Sequence, residues 1–268
     1  MYIISGKHYN KGIIGDDSSA LDGYYELGWE CGLSNVYIKS LLYNNKIKRS
    51  DTIVTREGRE FFYTSLFDNV ITWQDFCKLN VDPSETIHIL DKKHEEIDYY
   101  DVDVDLVCDF DLDKNVEKKY AINDKFMIYC IRLRDHCSWR NSDIEVAKNS
   151  IIKFIDNGYK VFVVGQGSQI LENILPVKYL ELRDYSSLIS SKYCSFVISP
   201  LSGIIHVANF TARKGLRTLI FDHAGERHVD NHPMLMGNCI NYKNLDITFI
   251  RGIETEEQIQ KHLGDFLK

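Results

Sequence analysis

The sequence predicts an α/β protein with parallel sheets, arranged as two halves. Two patterns carry this expectation. In the second half, the segments 125–133 (KFMIYCIRL), 159–164 (YKVFVV), 196–199 (FVIS) and 217–221 (RTLIF) are short apolar runs of strand length. Helical patterns separate them, and strand–helix alternation is the signature of parallel βα units. Size agrees. At a typical ~150 residues per domain, 268 residues make one large domain or two small ones. The composition, 44% hydrophobic and 26% charged with four prolines, is that of an ordinary globular chain.

In chain order, Tyr2–Ser5 reads as a strand, followed by a loop containing Gly12 and Gly15. A helix is expected over about 19–31, with Asp16, Asp17, Ser18 and Ser19 available as caps at its positive end. Asp51–Thr55 and Asn69–Trp73 read as strands, Arg56–Leu66 as a helix between them, and Thr86–Leu90 as a further short strand. Residues 95–113 then carry nine acids in nineteen positions, as an exposed connection would. Beyond it comes the strand 125–133, and a helix over 142–157 with apolar Ile144, Ala147, Ile151, Ile152 and Ile155. Ser142 and Glu145 form a capping-box pattern at its start, and Gly158 stands at its end. The strand 159–164 runs into Gly165-Gln166-Gly167. A short helix, a strand near 179–182 and a helix over 185–192 precede the strand 196–199. A helix opens at Ser202, the strand 217–221 follows, and 254–266 is an amphipathic tail helix. The halves are taken as 1–120 and 121–268.

Charge and targeting signals exclude several classes. Lys plus Arg total 32 against 39 Asp plus Glu, a net charge of −7, which disfavours a general nucleic-acid coat. No run of 18 apolar residues exists, so no membrane span is expected. The N-terminus lacks the basic and apolar regions of a secretory signal. Seven scattered cysteines without CxxC spacing suit a reducing, cytoplasmic compartment, in a bacterium or a virus-infected host cell.

Three segments carry candidate chemistry. Ser199–Ala208 (SPLSGIIHVA) leaves a strand and opens a helix, so amides near Ser202 and Gly203 would face an anion, with His206 one turn further along the same face. The same residues also suit a plain capped helix. Segment 131–141 (IRLRDHCSWRN) leaves the first strand of the second half at its carboxyl end, where open α/β sheets bind ligands. Its Arg132, Arg134 and Arg140 are guanidinium forks suited to a diphosphate, or to pairing with Asp135 and Asp143. The third segment is the loop holding Gly15, Asp16 and Asp17. Gly165 and Gln166 end a strand at the same sheet edge, although tight βα turns need glycine anyway. Glu226 and Arg227 lie in a histidine-rich loop (His223, His228, His232) whose spacing matches no common zinc framework. Asp101, Asp103 and Asp105 form a DxD inside the acidic run and read as a solvated face rather than a metal site.

Residues 125–222 resemble the nucleotide-sugar half of the bacterial heptosyltransferases, enzymes of the glycosyltransferase family 9 type with the GT-B architecture. Ser202, Gly203, His206 and Ala208 match the family motif D-[ST]-G-x-x-H-x-A, while Pro200 and Leu201 stand where its Asp would precede Ser202. Fucosyltransferase-like enzymes of the same architecture are similar over this stretch.

The resemblance implies a compact GT-B fold, two Rossmann-like domains facing a cleft, the first binding acceptor and the second the donor. It implies metal-independent, inverting transfer of a sugar from a nucleoside-diphosphate sugar to a hydroxyl acceptor, with no other cofactor. A basic residue among Arg132, Arg134 and Arg140 would meet the diphosphate. Gly165, Gln166, Ser202, Gly203, His206, Glu226 and Arg227 would line the donor site. Gly15 and Asp16 match a Gly-Asp pair whose Asp is the family's catalytic base; Asp17 is the second choice. A phage-type glycosyltransferase acting on hydroxymethylated DNA would share the fold, with Lys46, Lys48 and Arg49 as its basic groove. A non-catalytic nucleotide-binding or interaction module is the third reading.

Overall fold

The computed structural model describes residues 1–5, 27, 30–89, 110–133, 138, 141–223 and 244–266. The chain divides into two compact units between Leu112 and Asp113.

The first unit is built on a four-stranded parallel sheet in the order β3-β2-β1-β4. Its strands are β1 (Tyr2–Ile4), β2 (Thr52–Thr55), β3 (Asn69–Thr72) and β4 (Thr86–His88). Ile3 sits between Ile53 and Ile87, so β1 is central, and both Ile3 and Ile53 are fully buried. A π-helical turn, Glu30–Ser34, leads into α1 (Asn35–Tyr43). Thr72 caps α2 (Trp73–Lys78) by accepting from the Asp75 N–H, and Trp73 and Phe76 pack on Ile4 and Val54. Segment 56–66 forms only a 3-10 turn, Glu60–Phe62, where the sequence predicted a helix. Phe61, Phe62 and Tyr63 are all buried. Gly58, at φ +80°, breaks the segment, and a short 3-10 turn seats the aromatics instead.

The second unit is built on a six-stranded parallel sheet in the order β10-β9-β8-β5-β6-β7. Its strands are β5 (Phe126–Cys130), β6 (Lys160–Val164), β7 (Lys178–Tyr179), β8 (Cys194–Pro200), β9 (Leu216–Asp222) and β10 (Leu245–Arg251). The chain runs outward from β5 through β6 to β7, returns to the other side of β5 at β8, and continues to β10. This is the Rossmann order, with its reversal between β5 and β8. All five residues of β5 are buried, because helices cover both faces.

The short α3 (Val116–Lys119) belongs to this unit. Lys119 and the Tyr120 hydroxyl meet the buried Asp184 carboxylate at 2.7 and 2.6 Å, and Ser191 donates to Glu117. On one face, α4 (Ile144–Asp156) buries Ala147, Ile151 and Phe154 against Met127, Tyr129 and Phe196. Phe154→Ala there is worth about 3–5 kcal/mol. The same cluster takes Leu171 of α5 (Gln169–Glu172) and Ile259 and Leu263 of α8 (Glu256–Leu263). The other face carries α6 (Leu182–Leu188) and the wholly buried stretch 204–211 of α7 (Gly203–Thr211), joined where the Tyr185 hydroxyl donates to the Ile204 carbonyl.

Three local expectations change. The N-cap of α4 is Asp143, which accepts from the Glu145 and Val146 N–H groups, while Ser142 is engaged elsewhere. α6 starts three residues earlier than expected, so Asp184 lies in its first turn. β10 was not anticipated: Asp246, Thr248 and Arg251 interrupt its apolar residues, as suits the sheet's edge.

Candidate functional site

The reversal between β5 and β8 sets the site. In open parallel sheets the chains leaving two such strands part to opposite faces and open a crevice at the carboxyl edge. Arg132 leaves this edge two residues after β5; Ser202 and Gly203 leave it two or three residues after β8.

Arg132 is buried and held on several sides. Its N–H donates to Ser142 Oγ (3.2 Å), its carbonyl accepts from the Ser142 N–H (2.8 Å), and Nη1 donates to Asn141 Oδ1 (3.0 Å). Asn141 is fixed in turn by His223, just past β9, whose Nδ1 donates to the Asn141 carbonyl (2.9 Å). The amide oxygen orients the guanidinium through that nitrogen. Ser202 is extended (φ −151°), half-buried, and makes no side-chain cap to α7. Gly203 opens the helix beside it, so the first amides of α7 face this edge. His206 is buried one turn deeper, and burial pushes its imidazole down to about 4. It is neutral near pH 7 and adds no positive charge for an anion.

The Gly165-Gln166-Gly167 turn is first a packing device. A Cβ on Gly165, at φ +105°, would stand 2.1 Å from the Ile131 carbonyl oxygen; one on Gly167, at φ +86°, would stand 2.7 Å from Leu133 Cβ. The glycines let this turn lie against the β5 extension, where the Leu133 N–H donates to the Gln166 carbonyl (2.9 Å). The Gln166 side chain is exposed at that edge.

Sequence reasoning missed Glu254, which follows β10. Its side chain is fully buried; Oε1 accepts from the Asp143 N–H (2.8 Å) and Oε2 from the Tyr129 hydroxyl (3.4 Å). Burial pushes its carboxyl up to about 8, against the pull of those hydrogen bonds. Burial, with the Glu254 carboxylate beside it, also raises the Tyr129 phenol well above its usual value. The partners of Glu254 are 111 and 125 residues away, so only the tertiary structure shows its place.

The first unit has its own polar cluster at the carboxyl ends of β1 and β2, again unforeseen. Glu30 is buried. Its Oε2 meets Arg59 Nη1 at 2.6 Å, and its Oε1 accepts from Ser5 Oγ (2.6 Å), Thr55 Oγ1 and the Tyr63 hydroxyl (3.5 Å). Burial, then the Glu30 carboxylate, raise the Tyr63 phenol well above its usual value. Lys46, Lys48 and Arg49 are exposed in the turn before β2, at the opposite end of that strand. Arg49 donates to the Ser65 carbonyl and lies 3.7 Å from Asp68. Within this unit the three basic residues therefore lie away from the carboxyl edge.

Asp16, Asp17, Arg134, Arg140, Glu226, Arg227 and the DxD at 101–105 lie outside the described residues. Among the described residues no group of three or more His, Cys, Asp and Glu could hold a metal ion, and no helix is long and apolar enough to cross a membrane.

No protein-family model and no curated protein matches the sequence. Solved structures do match the fold. The glycosyl transferase family 9 protein from Veillonella parvula DSM 2008 is similar at 13% identity over 91% of this chain and 94% of its own, with a TM-score of 0.54. The E. coli ADP-heptose lps heptosyltransferase II is similar at 10% identity over 99% and 98%, with a TM-score of 0.56. E. coli heptosyltransferase WaaC, solved with ADP-2-deoxy-2-fluoro heptose, is similar at 10% identity over 98% of each chain, with a TM-score of 0.50. At these identities the likeness shows the fold: an α/β chain of two parallel sheets with the GT-B architecture of the family 9 heptosyltransferases.

Proposed function

We propose that this chain is a glycosyltransferase that transfers a sugar from a nucleoside-diphosphate sugar to a hydroxyl group of a glycan acceptor. The observation that carries the reading is the reversal between β5 and β8, with a buried, oriented arginine leaving one strand and an amide-bearing helix start leaving the other. Arg132 meets the diphosphate and stabilises the charge that develops on it as the glycosidic bond breaks. The Ser202 and Gly203 amides add neutral donors, and the turn at Gly165 and Gln166 borders the nucleoside. His206 serves as a buried, neutral support of α7. Transfer is metal-independent and inverting, with the acceptor on the first unit. Asp16, or failing it Asp17, takes the acceptor proton as its oxygen attacks the anomeric carbon. Arg134, Arg140, Glu226 and Arg227 complete the donor site. The buried thiols of Cys130 and Cys194 fit a reducing compartment such as the cytoplasm.

One solved neighbour is named for ADP-heptose and another holds ADP-2-deoxy-2-fluoro heptose, so ADP is the first probe. Arg132→Ala should weaken ADP binding by about tenfold to a hundredfold, the weight of a hydrogen bond to a charged group. Isothermal titration measures it, and unchanged affinity overturns the donor site. Asp16→Asn should keep ADP binding while abolishing transfer; near-normal turnover would remove Asp16 from the base role.

A further inference from the structure

We propose that Glu254, a residue with no part in the transfer as described, is a positioning residue for the diphosphate site: through the segment Asn141–Asp143 it fixes Arg132 at the carboxyl edge of the second sheet. This rests on the reading that Arg132 binds the donor diphosphate.

A chain of contacts links Glu254 to Arg132. Arg132 is held at its backbone N–H, its backbone carbonyl and its guanidinium by two consecutive residues, Asn141 and Ser142. Those two residues have their own anchors from the far side of the sheet. His223, beyond β9, holds the Asn141 carbonyl, and Glu254, beyond β10, holds the N–H of Asp143, the next residue. Asp143 starts α4, so one carboxyl sets both the start of that helix and the segment that carries Asn141 and Ser142. Glu254 is itself fixed by the Tyr129 hydroxyl inside the core.

The chemistry of Glu254 is unusual for a mere anchor. Among the described residues no arginine or lysine is a hydrogen-bond partner of Glu254; the partners are a backbone N–H, a phenol and, in the same cluster, Ser142. The titratable groups that face it are Tyr129 from β5 and Asp143 at the head of α4. Its raised carboxyl value keeps a large neutral fraction near pH 7, so Arg132 is oriented without an additional full negative charge buried behind it.

The test measures ADP affinity and unfolding of the full chain for four variants. Glu254→Ala removes the anchor and should weaken ADP binding by about tenfold or more, since small misplacements of a contacting group are costly. Glu254→Gln keeps an acceptor for the Asp143 N–H and imitates the neutral carboxyl, so it should restore affinity to within about twofold of the parent. Ile259→Ala, in α8 on the same core, is the stability control: it should lower the melting temperature at least as much as Glu254→Ala and leave ADP affinity unchanged. Arg132→Ala tests the underlying reading. If Arg132→Ala weakens ADP binding and Glu254→Ala does not, the positioning role is wrong and the donor site stands. If Ile259→Ala weakens ADP as much as Glu254→Ala, Glu254 acts only through stability and the role is again wrong. If Arg132→Ala itself changes nothing, the donor site fails and the positioning role with it.

Discussion

The two sheets end in differently organised polar edges. At the carboxyl edge of the first, Arg59 pairs with Glu30, and that carboxylate also accepts three hydroxyls, from Ser5 just past β1, Thr55 of β2 and Tyr63 after the 3-10 turn. At the carboxyl edge of the second, Arg132 leans on a neutral amide, and the nearby Glu254 takes a backbone N–H and a phenol. Glu30 closes its edge: opposite charges meet within it, which is how a buried pair holds structure. Asn141 and Glu254 instead serve to orient: one meets the guanidinium of Arg132, the other the backbone that carries Asn141. The two edges thus differ in what meets the arginine: a carboxylate on Arg59, an amide oxygen on Arg132.

The largest expected effect tests the first edge. Glu30→Ala strands a buried guanidinium and should cost about 3–5 kcal/mol in urea unfolding. Glu254→Ala should cost less, about 1–3 kcal/mol, because it orphans only neutral donors. Equal losses would erase the distinction between the two edges. Next comes the turn that borders the second. Gly165→Ala forces a Cβ onto the Ile131 carbonyl as well as a disfavoured φ, and should cost about 3 kcal/mol or more. Gly158→Ala, at φ +79° with open space around it, should cost only about 1 kcal/mol. Thermal melts of the pair would show whether close approach or backbone angle dominates there.

The same buried groups can be tested through pH. The Glu254 carboxyl is raised from 4.5 to about 8 on folding, so the folded chain binds more protons in that window. Stability is then lost as pH rises from 4.5 through 8. Glu254→Gln should remove this slope and gain on the parent above pH 8. His206 has the opposite sign. Its value falls from 6.5 to about 4, so stability is present above 6.5 and lost as pH drops toward 4. Urea unfolding of the parent and of His206→Gln at pH 4.5 and 7 would check this, since the variant should lack that loss.

The strands were largely legible because a parallel sheet covered on both faces needs unbroken apolar runs, as 126–130 and 160–164 provide. The helix-start motif at Ser202 was legible for a similar local reason: strand, turn and glycine are consecutive. What failed was non-local. Ser142 looked like an N-cap, yet it clamps Arg132 and leaves the cap to Asp143. Segment 182–188 was misjudged by three residues because Asp184, Ser186 and Ser187 are buried against the expectation for polar side chains. Glu30 and Glu254 read as two acids among 39, since their partners come from strands and turns far along the chain.

The packing of α8 on α4 bears on how the chain is made. Glu256 reaches back to Asn149 and Lys153, 107 and 103 residues earlier, and Ile259 and Leu263 close the cluster holding Ile151 and Phe154. During synthesis the part of that face that α8 covers stays open after Met127, Tyr129 and Phe196 are already in place. Contacts so distant in sequence slow folding, and the interval exposes apolar surface to aggregation. The second unit should therefore be the part of a nascent chain that most needs a chaperone, with α8 acting as the late-arriving latch.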